Sequence, residues 1–328
     1  MSKKFIKPLR YGNLELSNNV FYAPLAGCSD FPFRRMSARY RPGLMYCEMV
    51  KMDALVRYDQ NTFHFLDYDQ TMRPIGAQLC GSKVQIAGQS AKILEELGFD
   101  TIDLNCGCPV DKVTKDGSGS GLLRQPELIG ELLSEIVAAV KIPVTVKIRA
   151  GWDEENINAP LITQIAEKAG AVAITIHGRT RKQAYRGPAN WEWIKDCKQV
   201  ANKIAVIGNG DILDGPSAQK IFETTGCDGV LISRGTLGRP WIVEEMIAHL
   251  EGNPLPSRSL EECRQILLDH YQEVLDYHEG RGALLDLRRI GCWYFKKTAG
   301  TKAFRELVSH ISSKEEGLAL ISQYPFEE

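Results

Sequence analysis

The stretch Leu104-Asn105-Cys106-Gly107-Cys108-Pro109-Val110-Asp111 puts an asparagine and a cysteine just past a short buried run, Thr101 to Leu104. Gly107 and Pro109 make the exit sharp and rigid, which fixes Cys108 at the carboxyl end of a strand, and the loop that follows carries Gly117, Gly119 and Gly121. Parallel α/β enzymes keep their chemistry at that end. A lone cysteine in an intracellular chain is more often a small, buried, inert hydrophobe, so the case for chemistry depends on what stands at the ends of the other runs.

Those ends form a set. In chain order they carry Pro24, Leu25 and Ala26, then Glu48, Gln78, Asn105 with Cys108, Lys147 with Arg149, His177 with Arg179, Asn209-Gly210-Asp211, and Ser233-Arg234-Gly235. Lys147 and Arg149 alternate within one run end and are expected to point to opposite faces, so that only one of them need be catalytic. The last two ends suit a phosphate held by backbone N–H groups, with Arg234 adding charge. A phosphorylated redox cofactor such as flavin mononucleotide (FMN) fits, with Gln78 available to the ring amides and Lys147 to the negative charge of the reduced ring. Cys106 and Cys108 supply two thiolates with no matching second half, so no metal site is expected.

The elements that must position these residues are legible as an alternation. Short β-branched runs lie at Asn19 to Ala23, Leu44 to Cys47, Ile75 to Leu79, Thr101 to Leu104, Val144 to Ile148, Val172 to Ile176, Ile204 to Ile207 and Val230 to Ile232. Between them, Ser82 to Leu97, Pro126 to Val140, Ala159 to Ala169 and Gly215 to Thr225 repeat apolar residues at helical spacing. Strand then helix, eight times over, predicts an α/β (β/α)8 TIM barrel. A dinucleotide-binding doubly wound sheet is disfavoured, because Ala23-Pro24-Leu25-Ala26-Gly27 follows the first run where a Gly-x-Gly-x-x-Gly would stand. After Trp241, Gly252-Asn253-Pro254-Leu255-Pro256 reads as a linker, and only helix-period segments follow Ser259. The expected division is a catalytic barrel over residues 1–250 and a small all-helical domain over 257–328.

Composition sets the frame. With 328 residues, 44% hydrophobic and 25% charged, the chain is long enough for one barrel of roughly 250 residues and a small appendage. Its nine cysteines form no Cys-x-x-Cys pair, no apolar stretch follows Met1-Ser2-Lys3-Lys4, and no apolar run nears the roughly 20 residues needed to span a bilayer. A reduced, cytoplasmic enzyme without membrane attachment is expected, and a monomer. The formal net charge of −1 rules out a chain that is basic throughout, so any nucleic-acid contact must come from local patches. Two stand out. Arg179 to Arg186 holds Arg179, Arg181, Lys182 and Arg186 with no acid, and Arg281 to Arg305 holds Arg281, Arg288, Arg289, Lys296, Lys297, Lys302 and Arg305 against Asp286 alone.

Read together, the strand ends resemble the tRNA-dihydrouridine synthases, flavoenzymes that reduce a uridine base in tRNA. The matches are Ala23 to Asp30, Asn105 to Pro109, Val146-Lys147-Ile148-Arg149 with Gly151-Trp152, His177 to Arg181, Gly187 to Trp191, Asn209-Gly210-Asp211 and Gly238-Arg239-Pro240-Trp241. The pattern is most similar to the bacterial B-type branch, including Trp293-Tyr294 in the tail. Cys106, Ser233 and Leu25 depart from it, standing where Met or Leu, Gly, and Met are usual.

The resemblance implies FMN contacts from Pro24, Leu25, Ala26, Gln78, Lys147, His177, Asn209, Gly210, Asp211, Ser233 and Arg234, and it makes Cys108 the catalytic acid, with Gly107-Cys108-Pro109 preferred over Cys106. NADPH is the implied reductant. The chemistry suits the residues: reducing the uracil C5–C6 bond needs a hydride at C6 and a proton at C5, and thiols are mostly protonated at neutral pH. Lys147, His177, Arg149 and Asn105 are the candidates to stabilise charge on the uracil oxygens. A uridine within folded tRNA must be extruded to reach the mouth, so phosphate contacts are expected from Arg179, Arg181, Arg288 and Lys296, with the tail aromatics mainly packing. The rival readings are a small-molecule FMN barrel such as a dihydroorotate dehydrogenase, which the basic helical tail argues against, and a non-catalytic RNA-binding module, which Cys108, Lys147 and His177 argue against.

Overall fold

The computed structural model describes residues 5–296 and 298–326; the Met1-Ser2-Lys3-Lys4 terminus and Lys297 of the second basic patch lie outside the described residues. Eight strands close into a barrel: β1 (Val20–Tyr22), β2 (Leu44–Lys51), β3 (Ile75–Cys80), β4 (Thr101–Cys106), β5 (Val144–Arg149), β6 (Ala173–His177), β7 (Ala205–Asn209) and β8 (Gly229–Ile232). Every neighbouring pair is parallel, and β8 returns to β1 through Val230 beside Val20. The chain is therefore the expected (β/α)8 barrel.

Strand alternation explains which residues reach the interior. On β4, Ile102, Leu104 and Cys106 pack outward into the apolar layer beneath the helices, and so do Val144, Val146 and Ile148 on β5. The intervening Asp103 and Asn105, and Thr145, Lys147 and Arg149, must then face the barrel axis, since alternate residues share a face. This corrects the expectation for Lys147 and Arg149: two residues apart on one strand, they point the same way, and both line the same cavity. The barrel floor is plugged by Tyr11, Leu16, Phe21, Leu44, Tyr46, Ile207 and Leu231. Tyr11 and Leu16 come from a short antiparallel hairpin, Leu9–Tyr11 with Leu14–Leu16, that the sequence reading did not include.

The outer layer comprises α1 (Phe31–Ala38), α2 (Val84–Glu96), α3 (Pro126–Ala139), α4 (Ala159–Lys168), α5 (Glu192–Val200), α6 (Gly215–Thr225) and α7 (Ile242–Glu251). Four more helices follow: α8 (Leu260–Tyr277), α9 (Gly280–Gly291), α10 (Thr301–His310) and α11 (Lys314–Gln323). The first starts at a capping box in which Ser259 and Glu262 satisfy each other's backbone N–H. These helices share an apolar cluster of their own, built on Leu267, Tyr271, Leu287, Tyr294, Phe304 and Ile321.

The helical unit is fastened to the barrel by polar and aromatic contacts. Arg39, after α1, donates to Asp269 at 2.8 Å and Glu273 at 2.7 Å on α8. Tyr277 stacks on Phe31 with ring centres 4.5 Å apart, and Arg289 Nη2 donates to both Asp30 and Asp286 at 2.8 Å. At Gly238 the two units touch so closely that a Cβ would lie 2.0 Å from the Trp293 carbonyl oxygen, which demands glycine there. Among the described residues, no helix is long and apolar enough to cross a membrane.

Candidate active site

The carboxyl ends of the strands enclose a cavity of about 340 Å3, within the roughly 300–1,000 Å3 usual for small-molecule sites. Its walls bring together Pro24, Leu25, Ala26, Gln78, Asn105, Cys108, Lys147, Arg149, His177, Asn209, Gly210, Asp211, Ser233 and Arg234. Asn105, Arg149, His177 and Asn209, read as lying at or past the runs, are themselves the last or next-to-last residues of strands. The sequence reading missed Met49, on the part of β2 that continues past a register shift between Tyr46 and Met49. It also missed Tyr185, an exposed ring flanked by Arg149 at 5.6 Å and Arg234 at 5.0 Å.

The two candidate thiols are in different places. Cys106 points outward into the core and is fully buried, and burial raises its pKa well above the ordinary thiol value. Cys108 is partly exposed and lines the cavity. Its backbone is held at both ends: its N–H donates to Asn105 Oδ1 at 2.9 Å, and its carbonyl accepts from Ser120 N at 3.0 Å and Ser120 Oγ at 2.9 Å.

The adjoining wall, built on β5 and β6, is cationic. Burial, helped by neighbouring Arg149, pushes the Lys147 pKa down to about 8, and among the described residues its ammonium has no hydrogen-bond or ion-pair partner. Arg149 is occupied by the backbone, with Nε on the Gly107 carbonyl at 2.8 Å and Nη1 on the carbonyls of Thr180 at 3.0 Å and Ala184 at 2.8 Å. It therefore ties the cysteine turn to the loop after β6. His177 is held neutral, its pKa well below the ordinary value through burial first and then the charges of Lys147, Arg149, Arg179 and Arg234. Arg179 Nη1 lies 3.3 Å from His177 Nε2. An arginine only donates, so Nε2 accepts and the ring proton sits on Nδ1.

Two of the expected RNA contacts are corrected. Arg179 is only 3% exposed, and its guanidinium is taken up by Asp211 and by the Gly187 carbonyl, so it is a scaffold for the mouth and not a phosphate contact. Arg288 donates Nε and Nη2 to the Ile311 carbonyl at 2.9 and 2.6 Å, tying α9 to the end of α10. Arg181 pairs with Asp111 and lies over Trp152, keeping a partly exposed edge. Lys296 is exposed, with its ammonium 2.8 Å from the Leu237 carbonyl beside the mouth. The acids that meet the first basic patch, Asp211, Asp111 and Asp153, come from distant parts of the chain.

The cavity residues fit FMN. An unpartnered ammonium faces into the site, the exposed Arg234 guanidinium stands at its rim, and Gly210, at φ +111°, makes a turn of the cavity wall packed so closely that a Cβ would lie 2.8 Å from His177 Cδ2 and 2.9 Å from Ala189 Cβ.

Comparison with known proteins finds a family and relatives that span most of the chain. The family profile described as dihydrouridine synthase (Dus) matches residues 21–327. The chain is 39% identical over 306 residues to a probable tRNA-dihydrouridine synthase of Rickettsia bellii, covering 92% of this chain and 93% of the relative. It is 37% identical over 318 residues to tRNA-dihydrouridine synthase B of Pseudomonas aeruginosa, covering 96% and 95%. Among solved structures, histamine dehydrogenase from Rhizobium sp. 4-9 superposes with a TM-score of 0.59 at 14% identity; the match covers 83% of this chain and about half, 51%, of that one. That likeness concerns the fold.

Proposed function

The chain belongs to the dihydrouridine synthase family, and on that premise we propose that it is an FMN-dependent oxidoreductase that reduces the C5–C6 double bond of uridines in tRNA to dihydrouridine, with NADPH as reductant. The observation that carries this reading is the placement of a partly exposed Cys108 on one wall of a cavity whose other walls hold an unpartnered Lys147 and a neutral His177. The fit of that cavity to FMN and the relatives' names support it.

When bound, reduced FMN supplies the hydride for C6 of the uracil. The Cys108 thiol gives its proton to C5, from a loop whose backbone is pinned by Asn105 and Ser120. Lys147 sets positive charge against the uracil oxygens as they gain electron density, and His177 offers a neutral Nδ1–H donor to the same site. Asn209 Nδ2 donates to the Leu231 carbonyl at 2.7 Å and Ser233 Oγ at 3.0 Å, fixing β7 to β8 where the phosphate would lie. NADPH and the extruded uridine use the one mouth in turn. In the division expected from the sequence, residues 1–250 carry the catalysis and 257–328 bind the tRNA, with exposed Lys296 and the free edge of Arg181 as phosphate contacts. The enzyme acts as a monomer in the cytoplasm.

The test is an absorbance spectrum of the purified protein, followed by NADPH turnover with unmodified tRNA and mass spectrometry of its nucleosides. A flavin spectrum and a gain of about 2 Da on uridine are expected. A flavin with no gain on any uridine would refute the substrate, and no flavin would refute the chemistry.

A further inference from the structure

Beneath the mouth lies a charged group that the reaction does not touch. Asp103, on β4 two residues before Asn105, is 3% exposed and lies beside its register partners Gln78 on β3 and Thr145 on β5. Its Oδ2 accepts from Gln78 Nε2 at 2.7 Å and its Oδ1 from Thr145 Oγ1 at 2.6 Å. Gln78 Oε1 in turn accepts from Asn105 Nδ2 at 2.8 Å. Asn105 Oδ1 then accepts the backbone N–H of Gly107 at 3.1 Å and of Cys108 at 2.9 Å.

The chain of bonds has a direction. A carboxylate only accepts and a backbone N–H only donates, so the two ends are of fixed and opposite character. The two carboxamides between them would otherwise turn over freely. Here each has one allowed orientation: Gln78 must present its NH2 to Asp103, which leaves its oxygen for the Asn105 NH2, which leaves the Asn105 oxygen for the cysteine loop. Turning either amide over would set donor against donor, or acceptor against acceptor, in a buried site.

Resting on the reading of Cys108 as the acid, we infer that Asp103 is a positioning residue whose carboxylate fixes the orientation of the Gln78 and Asn105 amides and, through them, the loop that carries Cys108. It touches no reacting atom. Burial raises its pKa to about 6, opposed by the Thr145 and Gln78 hydrogen bonds and by Lys147, and the buried charge is kept where a neutral residue would leave the amides undirected.

A reciprocal exchange tests this. Asp103→Asn removes the acceptor-only end, and Asn105→Asp removes the donor to Gln78. The double variant restores a consistent chain in the reverse sense: the carboxylate moved to position 105 accepts from both the cysteine loop and Gln78, and the carboxamide moved to position 103 donates to Gln78. For the holoenzyme, the readouts are kcat and KM for tRNA, the rate of NADPH oxidation, flavin content, and the alkylation rate of Cys108 by iodoacetamide followed by peptide mass spectrometry. Per bound flavin, Asp103→Asn should lower kcat about tenfold or more while KM for tRNA and NADPH oxidation stay within about twofold, and it should change Cys108 alkylation several-fold. The double variant should bring alkylation back to within about twofold of the unaltered protein. Wild-type kcat and alkylation in Asp103→Asn would overturn the inference. So would losses of flavin and melting temperature in step with activity, or a double variant no nearer to wild type than either single one. Alkylation is read without turnover, so if the unaltered protein failed to reduce uridine, the proposed function would fall while the role of Asp103 was still decided.

Discussion

Arg179 and Asp211 meet across 32 residues of chain: Arg179 Nη2 lies 2.7 Å from Oδ1 and 2.6 Å from Oδ2 of the carboxylate. Asp211 Oδ2 also accepts from Ala189 N at 2.7 Å, so one carboxylate joins the end of β7 to the long loop after β6. Burial works to raise the Asp211 pKa, but the bonds from Arg179 and Ala189 outweigh it and hold the carboxyl below its ordinary range.

Removing this carboxylate leaves a buried guanidinium without its counter-charge. Asp211→Ala should cost about 2 kcal/mol or more of stability and weaken flavin binding at least tenfold, because the Gly210 turn and Arg234 lose their anchor. Guanidinium unfolding and flavin titration of the apoprotein check this, and unchanged values in both would contradict it.

Acid should weaken the protein through His177. Folded, the ring is neutral because burial and then Lys147, Arg149, Arg179 and Arg234 lower its pKa well below the ordinary value. The unfolded chain takes up that proton near pH 6.5, at about the ordinary histidine pKa, so below it the unfolded state binds more protons and stability falls as pH falls. His177→Asn removes this contribution. The stability of the variant relative to wild-type protein should therefore rise between about pH 7 and pH 5, as read by denaturant unfolding of the apoprotein. Parallel pH profiles would show that His177 does not carry the effect.

Gly210 tests the cradle. At φ +111° an alanine is strained whatever its surroundings, and its Cβ would press on His177 and Ala189. Gly210→Ala should lose about 1–3 kcal/mol of stability together with most flavin affinity. Retention of bound flavin at the wild-type level would remove this turn from the binding site.

Lys296 and Arg288, both on the helical side, should behave differently. Lys296 is exposed, so Lys296→Ala should weaken tRNA binding and reduce the slope of log affinity against log salt by about one, with little change in stability. Arg288→Ala should instead lower the melting temperature, because the Ile311 carbonyl loses two donors, and leave the salt slope nearly unchanged. Filter binding across a salt series, with thermal melts, separates the two.

The barrel was legible because its strands are buried on both faces and its helices on one, so the two hydrophobic periods alternate cleanly along the chain. The mouth was legible for a related reason: Gln78, Asn105, Lys147, His177 and Asn209 are polar residues interrupting apolar runs, and a strand end is where such interruptions belong. What distant parts of the chain contribute was not legible. Arg179 looked unpaired because its local stretch has no acid, yet Asp211 stands just past the end of the neighbouring strand. Arg288 looked like a surface cation, yet its partner is a backbone carbonyl, which no composition reveals. Lys147 and Arg149 were misjudged for a simpler reason, since residues two apart on a strand share a face. Asp103 passed unremarked because only the register of β3, β4 and β5 shows that it stands beside Gln78 and Thr145.

The central claim is that Cys108, and not the buried Cys106, delivers the proton to the uracil. The most direct measurement is to compare Cys108→Ala and Cys106→Ala for flavin content, NADPH oxidation and dihydrouridine formation in tRNA under single-turnover conditions. Cys108→Ala should keep its flavin and oxidise NADPH at near the wild-type rate while dihydrouridine formation falls by about 100-fold or more, and Cys106→Ala should lose about 1 kcal/mol of stability with its turnover retained. Full dihydrouridine formation by Cys108→Ala, with loss in Cys106→Ala, would contradict the assignment.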